Sequence, residues 1–290
     1  MNILITGAAG QLGCELSGSA PQGHVLVASD REQLNLADEH SVRAALEQTR
    51  PDLIINAGAY TQVDAAEENH AIAAAVNGKA VALLAEYALI EGARVIHFST
   101  DFVFHGDQTM PYSTTAATQP INAYGESKRQ GEHALLSQQS QQCVVIRTAW
   151  LYSAYGNNFV HTMLRLLRER ESVIVVADQV GSPTWAAGLA EFVWQVVAKE
   201  SMYGIYHWTD AGVASWYDFA VAIQDIALEL GLLDRQIPIR PVSSAEYPTA
   251  AKRPHYSVLD KSATVAAGFA PLHWRHTLRD MLTRLAEETS

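Results

Sequence analysis

Cysteine is almost missing from this chain. Cys14 and Cys143 are the only two in 290 residues, too few for a disulfide framework and in keeping with a reducing compartment, where each packs as a small apolar residue. Basic residues are also in deficit: 20 Lys and Arg against 31 Asp and Glu give a formal net charge of −11. A nucleic-acid binder would carry a basic footprint, so that class is disfavoured. An anionic small ligand is not, because a helix terminus or a single Arg or Lys can hold a phosphate. No apolar stretch approaches the ~20 residues of a membrane span. The chain runs from Met1 directly into Asn2-Ile3-Leu4-Ile5 with no basic leader region, which points to a cytoplasmic protein. The eleven histidines show no metal-ligand spacing, and there is no Gly-x-Ser-x-Gly nucleophile elbow. The acidic run 64–68 reads as a solvated helix start.

What is present suits a globular enzyme-sized chain. Its 48% hydrophobic and 18% charged residues are ordinary for a globular protein, and the length allows one large domain or a domain of about 150 residues with a smaller companion. Short β-branched runs at Ile3–Ile5, Val25–Ala28, Leu53–Ile55, Val95–Phe98 and Val144–Ile146 read as strands buried on both faces. Helical patterns lie between them, at Ser41–Gln48 and at the Ala-rich Ala71–Ile90, which should end at a Gly92 C-cap. This alternation predicts an α/β fold, a Rossmann-type doubly wound parallel sheet with right-handed crossovers.

After Arg147 the aromatic, Pro and Gly content rises, and helices are expected at Phe159–Glu169, Trp185–Lys199 and Trp216–Leu230. Residues 1–150 are therefore read as the dinucleotide-binding domain and 151–290 as mainly a smaller substrate domain. Segments of the second part return to the first, including a strand at Ile174–Val176 within about 170–180. Ser137–Gln142 reads as a polar loop.

Gly7, Gly10 and Gly13, with Gln11 and Leu12 between the last two, form a Gly-x-x-Gly-x-x-Gly turn between the first strand and a helix. Such glycines permit a tight turn, close approach of backbone to a pyrophosphate, and close helix–sheet packing. Asp30 ends the second strand, where a carboxylate can bind a ribose 2′-hydroxyl and repel a 2′-phosphate; Arg31 follows and can offset that repulsion. NADH and NADPH therefore both stay open. Asn56, Ala57, Gly58 and Ala59 follow the third strand with small side chains suited to lying against a cofactor, though an ordinary strand-to-helix turn needs the same residues. Ser99, Thr100 and Asp101 follow the fourth strand, either as turn formers or with a hydroxyl in the site. Tyr124 and Lys128 lie four apart on a helical stretch, so they share one face. An ammonium beside a phenol lowers the phenol's pKa, making it a proton donor near neutral pH.

Together these residues resemble the dTDP-4-dehydrorhamnose reductase family of the extended short-chain dehydrogenase/reductases. The similarity is collinear over nearly the whole chain. It takes in Arg-Pro-Asp at 50–52, Thr-x-Val-Asp at 61–64, His-x-Ser-Thr-Asp at 97–101, Val-Phe-x-Gly at 103–106 and Tyr-Gly-Glu-x-Lys at 124–128. It continues with Arg-Thr-x-Trp-x-Tyr at 147–152, Gly-Asn-Asn-Phe at 156–159, Asp-Gln-x-Gly-x-Pro-Thr at 178–184 and Arg-Pro-His at 253–255.

The resemblance implies reduction of the C4 ketone of dTDP-4-dehydro-6-deoxy-L-mannose by hydride from NADPH or NADH. It makes Tyr124 the proton donor, Lys128 its tuner and a ribose ligand, and Thr100 a hydrogen-bond donor to the substrate carbonyl. It places Asn77 near the lysine. It gives Asp101, Phe102, Trp150, Asn158, Phe159 and Arg253 to the sugar-nucleotide pocket, with Arg253 facing the diphosphate. Phe102 stands where Tyr is expected, one hydroxyl fewer for the sugar. Some members dimerise through a metal held by carboxylates. Glu15 matches one ligand, but Ala187 replaces the other, so a homodimer stays open and a metal bridge is not expected. A dinucleotide-binding regulatory subunit, a reductase of another dTDP-4-keto-deoxysugar and an epimerase are the competing readings.

Overall fold

The five apolar runs form parallel strands of one sheet in the computed structural model, which describes residues 1–138 and 142–289. They are β1 (Asn2–Thr6), β2 (Val25–Ser29), β3 (Leu53–Asn56), β4 (Arg94–Thr100) and β5 (Cys143–Thr148). A sixth strand, Gly204–His207, adds in parallel to β5 at one edge. From that edge the order is Gly204–His207, β5, β4, β3, β1, β2. The chain thus leaves β1 in one direction for β2 and in the other for β3. That reversal opens a crevice outside the carboxyl ends of β1 and β3, the place where open α/β sheets bind ligands.

Both faces of the sheet are covered, as the expected doubly wound fold requires. Side chains alternate across a strand, so Ile3, Ile5, Ile55, Ile96 and Ile146 share one face with Leu12 and Leu16 of the helix Gln11–Gly18 and with Phe192, Val193 and Val196. Leu4, Ile54, Val95 and Val145 face the other way, onto Val42 and Leu46 of helix Glu39–Thr49 and onto Val81, Leu84 and Ala88.

The Ala-rich stretch is one continuous helical run from His70 to Glu91, with a π-helical turn at Ala75–Lys79 and Gly92 closing it at φ 72°. Its 22 residues have a mean hydropathy of 1.4. It is therefore long and apolar enough to cross a membrane, contrary to the expectation that no stretch approaches that length. Here it is a core helix, with Ala73, Ala80, Val81, Leu84, Ala85 and Ala88 buried.

The second half builds its own core around Phe219. Helices Phe159–Glu169, Trp216–Glu229 and Trp274–Thr289 supply Leu164, Leu167, Ile223, Ile226, Leu278 and Leu282. The strand expected near 174–176 forms as Val173–Val176, yet it pairs with Ile239–Val242 and not with the six-stranded sheet. Ile174 is 51% exposed, and a strand open to solvent on one face does not suit the interior of a parallel sheet. The return is made by other residues: helix Ala186–Ala198 packs beneath the sheet against Gln11–Gly18, and Gly204–His207 supplies the edge strand. Of the polar loop expected at 137–142, Ser137 and Gln138 still belong to helix Ala123–Gln138, and 139–141 lie outside the described residues.

Candidate active site

The glycine turn sits at the mouth of the crevice. Gly7 has φ 66°, and a Cβ there would lie 2.5 Å from Gly58 Cα. A Cβ at Gly13 would lie 2.2 Å from the Gly7 carbonyl oxygen, so this glycine seats the helix directly on the turn. The Gly10 N–H donates to Gly7 O at 2.9 Å. The helix then begins at Gln11 with Gly10 as an N-cap that offers no side-chain hydrogen bond. Its first N–H groups keep their donors and the positive end of the helix dipole for an anion, as a pyrophosphate requires. Leu12 turns its side chain into the core and can offer a ligand only backbone.

Asp30 stands just past β2, where its Oδ1 accepts the Glu32 and Gln33 N–H groups at 2.9 and 3.0 Å; Arg31 is exposed beside it. Ala57 and Ala59 run along the rim. Asn56 differs from expectation, because its amide is used within the sheet: Thr6 Oγ1 lies 2.6 Å from its Oδ1, and its Nδ2 lies 2.9 Å from His97 Nδ1.

The carboxyl end of β4 and the first turns of helix Ala123–Gln138 bring Thr100, Asp101, Phe102, Tyr124 and Lys128 together. Thr100 donates to Asp101 Oδ1 at 3.0 Å, and the Phe102 N–H donates to Thr100 Oγ1 at 3.2 Å. The Tyr124 phenol meets the Thr100 hydroxyl, and the Phe102 ring stands edge-on to it with centroids 5.9 Å apart at 75°. Ser99 Oγ and Thr148 Oγ1, beside the same strand ends, are buried without a hydrogen-bond partner among the described residues.

The charge states differ from the expected tuning. Burial pushes Tyr124 up to about 12, with the Thr100 hydroxyl opposing and the Asp101 charge adding to the rise. Burial pulls Lys128 down to about 8, against the pull of Glu132. Desolvation, which disfavours both charged forms, outweighs any lowering of the phenol by the lysine. Asp101, also buried, is raised to about 6.

Asn77 sits in the π-helical turn and is buried. Its Nδ2 donates to Tyr60 O and to Ser127 Oγ, both at 2.9 Å, while its Oδ1 accepts the Tyr60 N–H. It thereby ties the rim loop to the helix that carries Tyr124. The start of that helix is held by Glu67 Oε1, which accepts the Ala123 N–H at 2.8 Å, and by Asn122, which accepts from Gly125 N and donates to Lys252 O.

On the side of the second core, Trp150 adopts φ 47° and lies flat on Trp216, with centroids 3.6 Å apart at 7°; Phe159 packs at 4.7 Å from the same Trp216 ring. Asn158 caps the helix behind Phe159 and donates to Gln11 Oε1 at 3.1 Å, bridging to the glycine turn. Arg253 is not free: it forms a two-pronged pair with Asp64. Glu15, the matched metal-ligand position, instead accepts from Ser153 at 2.7 Å and pairs with Arg284 at 3.2 Å.

Several of these residues escape a reading of the sequence. Asp64 and His97 lie inside collinear motifs, at 61–64 and 97–101, without chemical signatures of their own. Trp216 is one aromatic among many.

The RmlD substrate binding domain family model matches residues 1–287. A dTDP-4-dehydrorhamnose reductase of Aggregatibacter actinomycetemcomitans is 39% identical over 287 residues, covering 96% of this chain and 97% of that one. A dTDP-4-keto-6-deoxy-D-glucose reductase of Streptomyces niveus is 38% identical, covering 99% and 98%. Among solved structures, a dTDP-4-dehydrorhamnose reductase of Bacillus anthracis in complex with NADP superposes with a TM-score of 0.91 at 35% identity, covering 97% and 98%.

Proposed function

The chain belongs to the RmlD substrate binding domain family, and on that footing we propose that it is an NAD(P)H-dependent reductase of a dTDP-4-keto-6-deoxysugar, with dTDP-4-dehydro-6-deoxy-L-mannose as substrate and dTDP-L-rhamnose as product. The observation that carries the reading is the meeting of Thr100, Tyr124 and buried Lys128 at the carboxyl end of β4, beside an uncapped helix N-terminus set on three glycines.

Gly7, Gly10, Gln11 and Gly13 hold the dinucleotide's pyrophosphate, Asp30 and Arg31 flank its adenosine ribose, and Ala57 and Ala59 lie along it. When bound, the reduced nicotinamide supplies the hydride. Thr100 turns its one hydroxyl proton from Asp101 Oδ1 to the C4 oxygen, where negative charge grows as the ketone is reduced. Tyr124 gives that oxygen its proton. A phenol held at about 12 keeps its proton at neutral pH, and an alkoxide is a stronger base than a phenolate, so the transfer still runs downhill. Lys128, one helical turn on, faces the phenolate that remains, which regains its proton from solvent. Trp150, Phe159 and Phe102 give the sugar-nucleotide apolar walls, with Asn158 at the cofactor edge and Arg253 for the diphosphate.

The test supplies NADH or NADPH together with dTDP-4-dehydro-6-deoxy-L-mannose and follows nicotinamide absorbance. Oxidation with formation of dTDP-L-rhamnose supports the proposal. Turnover only with another dTDP-4-keto-deoxysugar would replace the substrate. Tight cofactor binding with no oxidation would replace the enzyme by a regulatory subunit.

A further inference from the structure

Behind Lys128 a line of buried side chains runs back into the sheet. The Gly58 N–H donates to Thr6 Oγ1 at 3.1 Å, and Thr6 Oγ1 lies 2.6 Å from Asn56 Oδ1. Asn56 Nδ2 is 2.9 Å from His97 Nδ1, and His97 Nε2 is 3.5 Å from Lys128 Nζ. Thr6, Asn56, His97 and Lys128 are 0, 1, 0 and 3% exposed, so each finds its partners within the protein.

One end of this line is set by burial. Thr6 Oγ1 accepts the Gly58 N–H, and its own proton, cut off from water, goes to Asn56 Oδ1, the acceptor within its reach. The amide then presents its NH2 to the ring, and an NH2 only donates. Nδ1 of His97 must accept, which leaves the proton of the neutral ring on Nε2, aimed at the lysine nitrogen. Opposite an ammonium, that proton would set donor against donor; opposite an amine it meets a lone pair. The geometry points to His97 as a positioning residue whose Nε2–H faces the Lys128 nitrogen, its tautomer fixed by Thr6 and Asn56, so that the ammonium is disfavoured and the lysine gives up its proton more readily.

The surrounding groups agree. Glu132, one turn along the same helix, is the carboxylate that would favour an ammonium. Arg147 from β5 takes both its oxygens, at 2.7 and 2.8 Å. The charge of Asp101, past the end of β4, acts on Tyr124. Burial lowers Lys128 to about 8 and holds the His97 imidazole well below its usual range. A Cβ at Gly131 would lie 3.3 Å from His97 Nε2, so a glycine is what lets the catalytic helix come this near the ring. The line is not a proton wire, because the Asn56 amide neither gains nor loses a proton. It is a directional anchor.

This deepens the reading of the same site and rests on it only for the part Lys128 plays in turnover. The test is nitrogen-15 NMR on the full-length cofactor-free protein. Long-range proton–nitrogen correlations at neutral pH should show His97 protonated at Nε2 and bare at Nδ1, and the Lys128 Nζ signal should titrate near 8. Thr6→Val keeps the shape and removes the fixed donor. It should move the Lys128 titration up by about half a unit or more, while Thr6→Ser restores it. A wild-type ring protonated at Nδ1, or a Lys128 titration unmoved in folded Thr6→Val, overturns the inference. The wild-type spectrum decides the matter even if the valine variant fails to fold. Failure of the sugar reduction assay leaves the tautomer result standing, and a wrong tautomer leaves the reductase reading standing.

Discussion

Arg253 closes on Asp64 with both terminal nitrogens, 2.7 and 3.1 Å from the two carboxylate oxygens. The guanidinium fork is thus aimed and held by an internal anion, and the pair keeps the Asp64 carboxyl below its ordinary range. The same fork that grips a carboxylate can grip a diphosphate.

Arg253→Lys keeps the charge and loses the fork. Its KM for the dTDP-sugar should rise by about tenfold, roughly 1.4 kcal/mol of binding, with kcat nearly unchanged. Steady-state kinetics at saturating dinucleotide measure both. An unchanged KM would detach Arg253 from the diphosphate.

Tyr124→Phe keeps the ring that packs on Phe102 and removes the donated proton. It should cut kcat by ~10²-fold or more. Dinucleotide affinity, read by fluorescence titration, should hold. Retained turnover would take Tyr124 out of the acid role.

Gly131→Ala places a methyl 2.3 Å from the Asn77 carbonyl oxygen, where two helices touch through their backbones. It should cost about 2–3 kcal/mol in urea unfolding. The same substitution at Gly18, where an added Cβ would meet nothing within 4 Å beyond its own helix backbone among the described residues, should be neutral or stabilising by about 0.4–1 kcal/mol. Equal effects at the two sites would mean that the helix contact is soft.

Asp210 sets a pH dependence. Burial raises its carboxyl to about 7, although the Thr277 hydroxyl and the Trp185 N–H both donate to it. The folded state therefore holds a proton that the unfolded state, near 3.8, has already released. This contribution to stability is present in acid and is lost as pH rises from about 4 through about 7. Asp210→Asn keeps an acceptor and removes the titration. Its melting temperature should exceed that of the wild type at pH ~8 by roughly 2–4 °C per kcal/mol, and the gap should shrink toward pH ~5. A gap that is constant with pH would assign the effect to packing.

What could be read from the sequence is what local backbone chemistry dictates. The glycine turn is legible because Gly7 needs a positive φ and Gly13 needs the space of a hydrogen. The strands are legible because burial on both faces demands unbroken apolar runs. The path of the second half is not, because periodicity tells which face of Ala186–Ala198 is buried and not that Gln11–Gly18 covers it. The ionisation of Tyr124 and Lys128 is hidden for a similar reason. Spacing gives their distance along a helix, while the desolvation that governs them comes from neighbours far away in sequence. Arg253 and Asn56 were legible as polar groups near the site, but the partners that engage them, Asp64, Thr6 and His97, lie 41 to 189 residues away.

The edge strand Gly204–His207 and the helix before it complete the first layer only after the chain has begun the second. A fragment ending near residue 150 would carry a sheet with a bare edge and an uncovered apolar face, and the remainder would carry a strand with nothing to pair. The two cores are therefore laced by a single thread. They should melt in the calorimeter as one transition, so that loosening the second core also loosens the layer beneath the glycine turn.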